Sequence, residues 1–363
     1  MLNLLLIFGG CSPEYAVSLQ SASAVARQLD PAKYNLIMLG ISQQGRWYHF
    51  HGDVSQIEAD SWQQPQLCTP AAIWPERSQP GLLLLPADAK CAARLLPVDA
   101  ALPVLHGQNG EDGTVQGLLE LAGLPLVGCG TLASALCMDK VRAHQLAAAA
   151  GVAVPEFARI DRKTAAAEAA RLAERIGWPL FVKPVWAGSS FGISRLSNPA
   201  ELPAALQAAF VYDDEVILEA AVAGVEIGCA VMGNPADPAG LITGELDEIE
   251  LPKEQDSFFD FHEKYTLESS AIHVPARVDA DCAWRLKQTA CRIYQALGCQ
   301  VLARVDMFLT PQGEIYFNEV NTIPGFTAHS RFPQMLQAAG WSFTQLLDKA
   351  IELALQPREA QNA

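Results

Sequence analysis

The sequence of 363 residues is short of positive charge: 25 Lys and Arg stand against 40 Asp and Glu, a formal net charge of -15. A surface of that sign repels a nucleic-acid backbone and an anionic membrane, so neither is expected as a partner, and an anionic substrate must be met by local cations or metal. No apolar run reaches the length of a membrane span. The opening MLNLLLIFGG lacks a basic start and stops at Gly9 and Gly10, so it reads as a buried first strand rather than a secretory signal. The nine cysteines include no C-x-x-C pair. Scattered in apolar company (Cys91, Cys129, Cys137, Cys229, Cys291, Cys299), they read as reduced core thiols of a cytoplasmic protein. Internal repeats and low-complexity tracts are also lacking, apart from alanine-rich helices.

What remains is an ordinary soluble-enzyme composition, 50% hydrophobic and 18% charged, long enough for two or three domains. The first third alternates strand-like and helix-like segments, which predicts a parallel sheet. Before the first helix Ser12 is placed to cap, Pro13 to occupy the first position and Glu14 the first turn. The glycine pair there does not make a G-x-G-x-x-G fingerprint. Further on, WPLFVKPVWAGSSFGISRL reads as strand, glycine-rich loop and strand, and the polar and aromatic segment 251–275 reads as a mobile loop.

Two segments carry chemistry. In RVDMFLTPQGEIYFNEVNT, residues 304–322, a turn at 310–313 predicts Leu309 facing Glu314, Asp306 facing Phe317 and Arg304 facing Glu319. Partners across a ribbon point the same way and residues two apart share a face, so Arg304, Asp306, Glu319 and Asn321 lie together. Val305, Met307, Leu309, Tyr316 and Val320 take the other side. Hard oxygen donors on one face suit Mg²⁺ beside substrate phosphates; a solvated face with an Arg-Glu pair fits the ribbon equally well. In VKPVWAGSSFG, Lys183 precedes Gly188, Ser189, Ser190 and Gly192, whose backbone N–H groups can approach phosphate oxygens while the ammonium balances their charge. That loop lacks G-K-[ST] and leads into a strand, so it is not a P-loop.

Seven strings in order along nearly the whole chain (FGGCSPEYAVSLQSA, LHGQNGEDGTVQG, ASALCMDK, VKPVWAGSSFG, FFDFHEKY, RVDMF and NEVNTIPGFTAHS) resemble the D-alanine-D-alanine ligases of the ATP-grasp superfamily. The resemblance implies an α/β chain with α+β elements: an N-terminal Rossmann-like domain, 1–135, then a two-lobed ATP-grasp fold with lobes 136–215 and 216–363. It implies ATP bound by Lys140, Lys183, Ser190 and Lys264 at the phosphates and by Glu219, Val222 and Glu226 at the nucleoside. Asp306, Glu319 and Asn321 match ligands of two Mg²⁺ or Mn²⁺ ions. Glu14 matches the acid that holds the first D-alanine, with Ser189 and Tyr265 as its partners and His106 near the substrate carboxyl. Arg304 and the Gly325 N–H match oxyanion stabilisers, and Ser330 matches a contact to the second substrate's carboxylate. A cytoplasmic homodimer is implied as well.

Ala16, Trp186, Ala220 and Arg331 depart from the family pattern. Arg331 bears on substrate, because that position beside the second-substrate pocket is usually apolar where D-alanine is the acceptor. A donor there can meet the hydroxyl of D-serine, and FFDFHEKYTLESSAIHVPA also resembles vancomycin-resistance ligases that use D-serine. Tyr265 stands where D-lactate ligases tend to carry His. D-alanyl-D-alanine synthesis is the first expectation and D-alanyl-D-serine synthesis the second; a non-catalytic ATP-binding regulator is the reading from another class, and it predicts eroded metal or phosphate positions. A glutathione-synthetase-like ligase is opposed by the linked Glu14, Ser189 and Tyr265.

Overall fold

The computed structural model describes residues 1–85, 92–188, 191–250 and 271–356. Among them the strands form three sheets. The first holds β1 (Leu2–Gly9), β2 (Tyr34–Ile41), β3 (Trp47–Phe50), β4 (Cys68–Trp74), β5 (Gly81–Leu84), β6 (Arg94–Pro97) and β7 (Ala100–Pro103), in the order β6-β5-β4-β3-β2-β1-β7. The apolar run of β1 is buried and pairs in parallel with β2 and β7, with α1 (Tyr15–Gln28) crossing between β1 and β2. The expected parallel sheet is confined to these three strands. Only residues 42–46 separate β2 from β3, too few for a crossover, so the chain folds back and β2 to β6 pair antiparallel.

Two helices, α2 (Val54–Glu58) and α3 (Thr114–Leu121), belong to this part; α4 (Thr131–Met138) and α5 (Lys140–Ala149) follow and bury Ala133, Cys137, Ala143 and Ala147 against strands in residues 301–320. The second sheet contains β8 (Phe157–Asp161), β9 (Leu180–Pro184), β10 (Ser194–Leu196) and β11 (Glu215–Ala220), all antiparallel in the order β10-β9-β11-β8. Strand alternation sends Leu180, Val182, Val216 and Leu218 into a core under α6 (Ala166–Ile176) and α7 (Leu202–Ala209). Lys183 and Glu219 therefore point to the opposite face. A lobe boundary at 215 would separate β11 from its partners; the structure keeps it paired with β8 and β9, and the next sheet starts at Val225.

The third sheet is antiparallel, in the order β14-β13-β12-β15-β16: β12 (Val225–Gly233), β13 (Ile242–Glu250), β14 (Ala271–His273), β15 (Val301–Leu309) and β16 (Ile315–Asn321). One face packs on α8 (Ala280–Ala296) through Ile227, Val231, Ala303, Val305, Met307 and Phe317. The other meets α9 (Arg331–Ala338) and α10 (Phe343–Leu355), where Met232, Leu302, Phe332 and Leu346 join Leu4, Leu6 and Phe8 of the first sheet in one core.

The β15–β16 hairpin differs in register from its sequence reading. Leu309 pairs with Ile315, one residue beyond Glu314, and an irregularity at Asn318 adds a second residue, so Asp306 pairs with Glu319 and Arg304 with Asn321. Two one-residue offsets sum to an even shift, so all four polar residues still share a face. Between turn and bulge the shift is odd: Phe317, expected opposite Asp306, is buried in the core with Met307, while Tyr316 pairs with Phe308 on the polar side.

Candidate active site

A cavity of about 600 Å³ lies between α1, the start of α5 and the hairpin. Glu14 reaches it from the foot of α1. The helix starts later than expected, at Tyr15, because Ser12 donates its hydroxyl to the His106 carbonyl at 2.6 Å while accepting the Glu14 N–H at 3.2 Å. This ties the helix start to the loop after β7. Gly107, at φ +69°, leaves room for the carboxylate: a Cβ there would stand 2.2 Å from Glu14 Oε2.

His106 and Glu111 share that wall. His106 Nδ1 donates to the Ile323 carbonyl at 3.0 Å, which leaves Nε2 as the acceptor of a neutral ring, and burial lowers its pKa to about 4. Glu111 accepts the Gly107 N–H at 2.7 Å. Burial, joined by the charge of Glu14, pushes its carboxyl up to about 8 against the backbone donors and Arg304. Glu111 was not among the expected site residues, because nothing local in the sequence marks an acid that meets Glu14 only in the folded chain.

On the floor, Arg304, Glu319, Asn321 and Gly325 line the cavity and Asp306 lies fully buried behind them. Arg304 grips Asp306 through Nε at 2.9 Å and Nη2 at 2.7 Å, and Asn321 Nδ2 donates to Asp306 at 2.9 Å. The oxygen-only donor set of Asp306, Glu319 and Asn321 on one face fits a divalent hard cation.

Lys140 opens α5 beneath the cap made by Asp139, which accepts the Arg142 N–H at 2.8 Å, and its Nζ donates to the Ala187 carbonyl at 2.6 Å. Lys183, Glu219, Val222 and Glu226 lie apart from the lining of the cavity. Buried Lys183 donates to Glu219 at 2.6 Å. Burial raises the Glu219 pKa, but Lys183 and His144 outweigh it and bring it to about 2. Val222 is half-buried in the link between the second and third sheets.

Ser330 and Arg331 line the cavity at the start of α9. The Arg331 guanidinium is buried and occupied: Nε and Nη2 meet Asp247 at 2.6 and 2.8 Å, Nη1 meets Glu226 at 3.0 Å, and Nη2 stands 3.2 Å from Asp306. Gly228 makes room for this fork, since a Cβ would fall 2.4 Å from Asp247 Oδ1 and 2.5 Å from Arg331 Nη2. Three carboxylates were not among the expected partners of Arg331, and Asp247 had no place in the sequence reading. Ser189, Ser190, Lys264 and Tyr265, and most of the 251–275 segment, lie outside the described residues. Of the described cysteines, Cys129, Cys137, Cys229, Cys282 and Cys299 are buried, Cys68 and Cys291 partly so, and Cys11 is exposed; Cys91 lies outside the described residues. No described helix is long and apolar enough to cross a membrane.

Known proteins match both halves of this arrangement. The family described as D-ala D-ala ligase N-terminus matches residues 3–129, and that described as D-ala D-ala ligase C-terminus matches residues 146–352. A putative D-alanine-D-lactate ligase of Streptomyces coelicolor is 43% identical, over 96% of either chain. D-alanine-D-alanine ligase A of Chromobacterium violaceum is 41% identical over 97% of this chain and 94% of its own. The crystal structure of VanG D-Ala:D-Ser ligase from Enterococcus faecalis has a TM-score of 0.88 at 49% identity, over 97% of this chain and 99% of its own. The three names differ in the second unit and agree on the first, and with both family descriptions spanning nearly the whole sequence this chain belongs to the D-alanine-D-alanine ligase family of ATP-dependent ligases.

Proposed function

We propose that the protein joins two molecules of D-alanine in the cytoplasm, as a homodimer, to supply the dipeptide of peptidoglycan synthesis. The observation that carries this is the convergence of Glu14, Lys140, Arg304, Glu319 and Asn321 on one cavity from α1, α5 and the hairpin. A carboxylate is a poor acceptor for an amine, so the first D-alanine is activated by phosphoryl transfer from ATP; the amine of the second then attacks the acyl phosphate carbonyl and phosphate leaves. Glu14 holds the first ammonium, with Ser189 and Tyr265 as its partners, and neutral His106 sits near that substrate's carboxyl. Lys140, Lys183, Ser190 and Lys264 take the phosphates, and Glu219, Val222 and Glu226 take the nucleoside. Arg304 and the Gly325 N–H stabilise the tetrahedral oxyanion, and Ser330 receives the second carboxylate. Asp306, Glu319 and Asn321 would hold two Mg²⁺ or Mn²⁺ ions, whose charge offsets that of the triphosphate.

A second reading has D-serine as acceptor. It is supported by the 49% identity to VanG D-Ala:D-Ser ligase; Arg331 adds less than its position beside Ser330 suggested, because its guanidinium is taken up by Asp247, Glu226 and Asp306 rather than turned to a hydroxyl. Competing D-alanine and D-serine near neutral pH, with products separated by mass, decides between them: mostly D-alanyl-D-alanine is expected, and mostly D-alanyl-D-serine reverses the order. Chelation of divalent ions is expected to stop phosphate release and added Mg²⁺ to restore it. Phosphate release that ignores D-alanine altogether would favour a regulatory ATP-binding protein.

A further inference from the structure

His144 has no role in the scheme above, yet it stands against one of its residues. It lies one helical turn beyond Lys140 on α5 and is 1% exposed. Its ring sits between Phe157 and Phe317, each 5.3 Å away between centroids. A phenylalanine would satisfy such packing. A histidine there buries two nitrogens, and Nδ1 has no hydrogen-bond partner among the described residues. Nε2 stands 3.2 Å from Glu219 Oε2, within ion-pair reach although off the line of a hydrogen bond. Glu219 Oε1, on the other side, takes Lys183. The buried carboxylate is thus flanked by Lys183 from β9 and His144 from α5.

We propose that His144 is a positioning residue for the nucleotide, holding the Glu219 carboxylate in place when Lys183 turns to a phosphate of ATP. This deepens the ligase reading and rests on it. A carboxylate as buried as Glu219, 1% exposed, is costly without a counter-group. The ammonium that supplies one in the present arrangement is the same group assigned to the phosphates, and it cannot hold both at full strength. His144 is already beside the second oxygen, on the helix that also presents Lys140, so the two phosphate lysines and the adenine-side acid are joined through one imidazole. Removing that imidazole leaves Glu219 to keep Lys183 away from ATP.

The test measures Mg-ADP and Mg-ATP binding by calorimetry on the full chain, with His144→Phe, His144→Gln, Glu219→Gln and the double variant His144→Phe/Glu219→Gln. His144→Phe is expected to weaken nucleotide binding by about tenfold while its melting temperature and its KM for D-alanine stay near those of the parent protein. His144→Gln, which can still donate to Oε2, is expected to recover most of the loss. In the Glu219→Gln background the neutral amide needs no counter-group, so adding His144→Phe is expected to change affinity by less than twofold. Equal losses in both backgrounds would assign His144 a packing role and overturn the proposal, as would undiminished binding by a folded His144→Phe. Should His144→Phe not fold, His144→Leu, which likewise cannot donate to Oε2, decides in the same two backgrounds: a loss confined to the Glu219 background supports the proposal, and none or an equal loss overturns it. A parent protein that binds neither nucleotide would sink the ligase reading itself, and this proposal with it.

Discussion

Glu111 titrates inside the range where such a protein is handled. Its folded-state pKa of about 8 lies above the ordinary carboxylate value, so between the two the folded protein holds a proton that the unfolded chain has released. Stability from this group is complete below the unfolded pKa and is lost as pH rises through about 8. His106, lowered to about 4, acts in the opposite sense, but only below its unfolded value of 6.5. Melting temperature measured without ligands is therefore expected to fall from pH 6.5 to 8.5, and Glu111→Gln to flatten that slope. An equally steep fall in the variant would show that the proton sits elsewhere.

In the proposed scheme, removing Arg304 separates nucleotide binding from peptide-bond formation. Asp306 keeps Arg331 and Asn321 when Arg304→Ala is made, so the acid remains partnered. Nucleotide binding is expected to stay within about twofold and dipeptide formation to drop by roughly 10²–10³, the usual loss for one oxyanion donor. Turnover at the parent rate would remove Arg304 from that role.

At the scale of elements, the hairpin shows what a strand pattern can and cannot say. Its polar face was legible because the side-chain period of two survives any even shift. The register was not, since neither the extra residue at the turn nor the bulge at Asn318 has a distinctive residue type to mark it. Deleting Asn318 converts the even shift to an odd one, turning Glu319 and Asn321 toward the core and Val320 toward the cavity. Burial of an unpaired carboxylate costs several kcal/mol. The deletion is expected to lower the urea midpoint sharply and to cut turnover by more than about 10³, the scale of losing the proposed cation-binding face; retained turnover would contradict the register. The first sheet illustrates the same limit, because the helix between β1 and β2 announced a parallel pair whereas the short links after β2 hid the antiparallel extension.

Across the whole molecule, the first and third sheets share one core and the second keeps its own under α6 and α7. A polar tie reinforces the shared core: the Tyr34 hydroxyl, at the start of β2, donates to Asp348 of α10 at 2.8 Å, and Lys33 reaches the same acid. Tyr34→Phe is expected to lower stability to urea by about 1 kcal/mol, the net worth of such a bond, with kcat unaltered. An equal loss in kcat would mean that the tie also shapes the cavity.

By itself the sequence determined the residue types of the site and their order: oxygen donors at alternate strand positions, a lysine before a glycine-rich loop, an acid at a helix start. These are local, set by strand period, turn chemistry and spacing along the chain. Only the tertiary structure decided which charges meet. Arg331 is held by Asp247, a partner 84 positions away, Glu111 faces Glu14, and His144 backs Glu219. Such pairings depend on how separate elements pack, and burial then makes each of them matter because water no longer screens the charges.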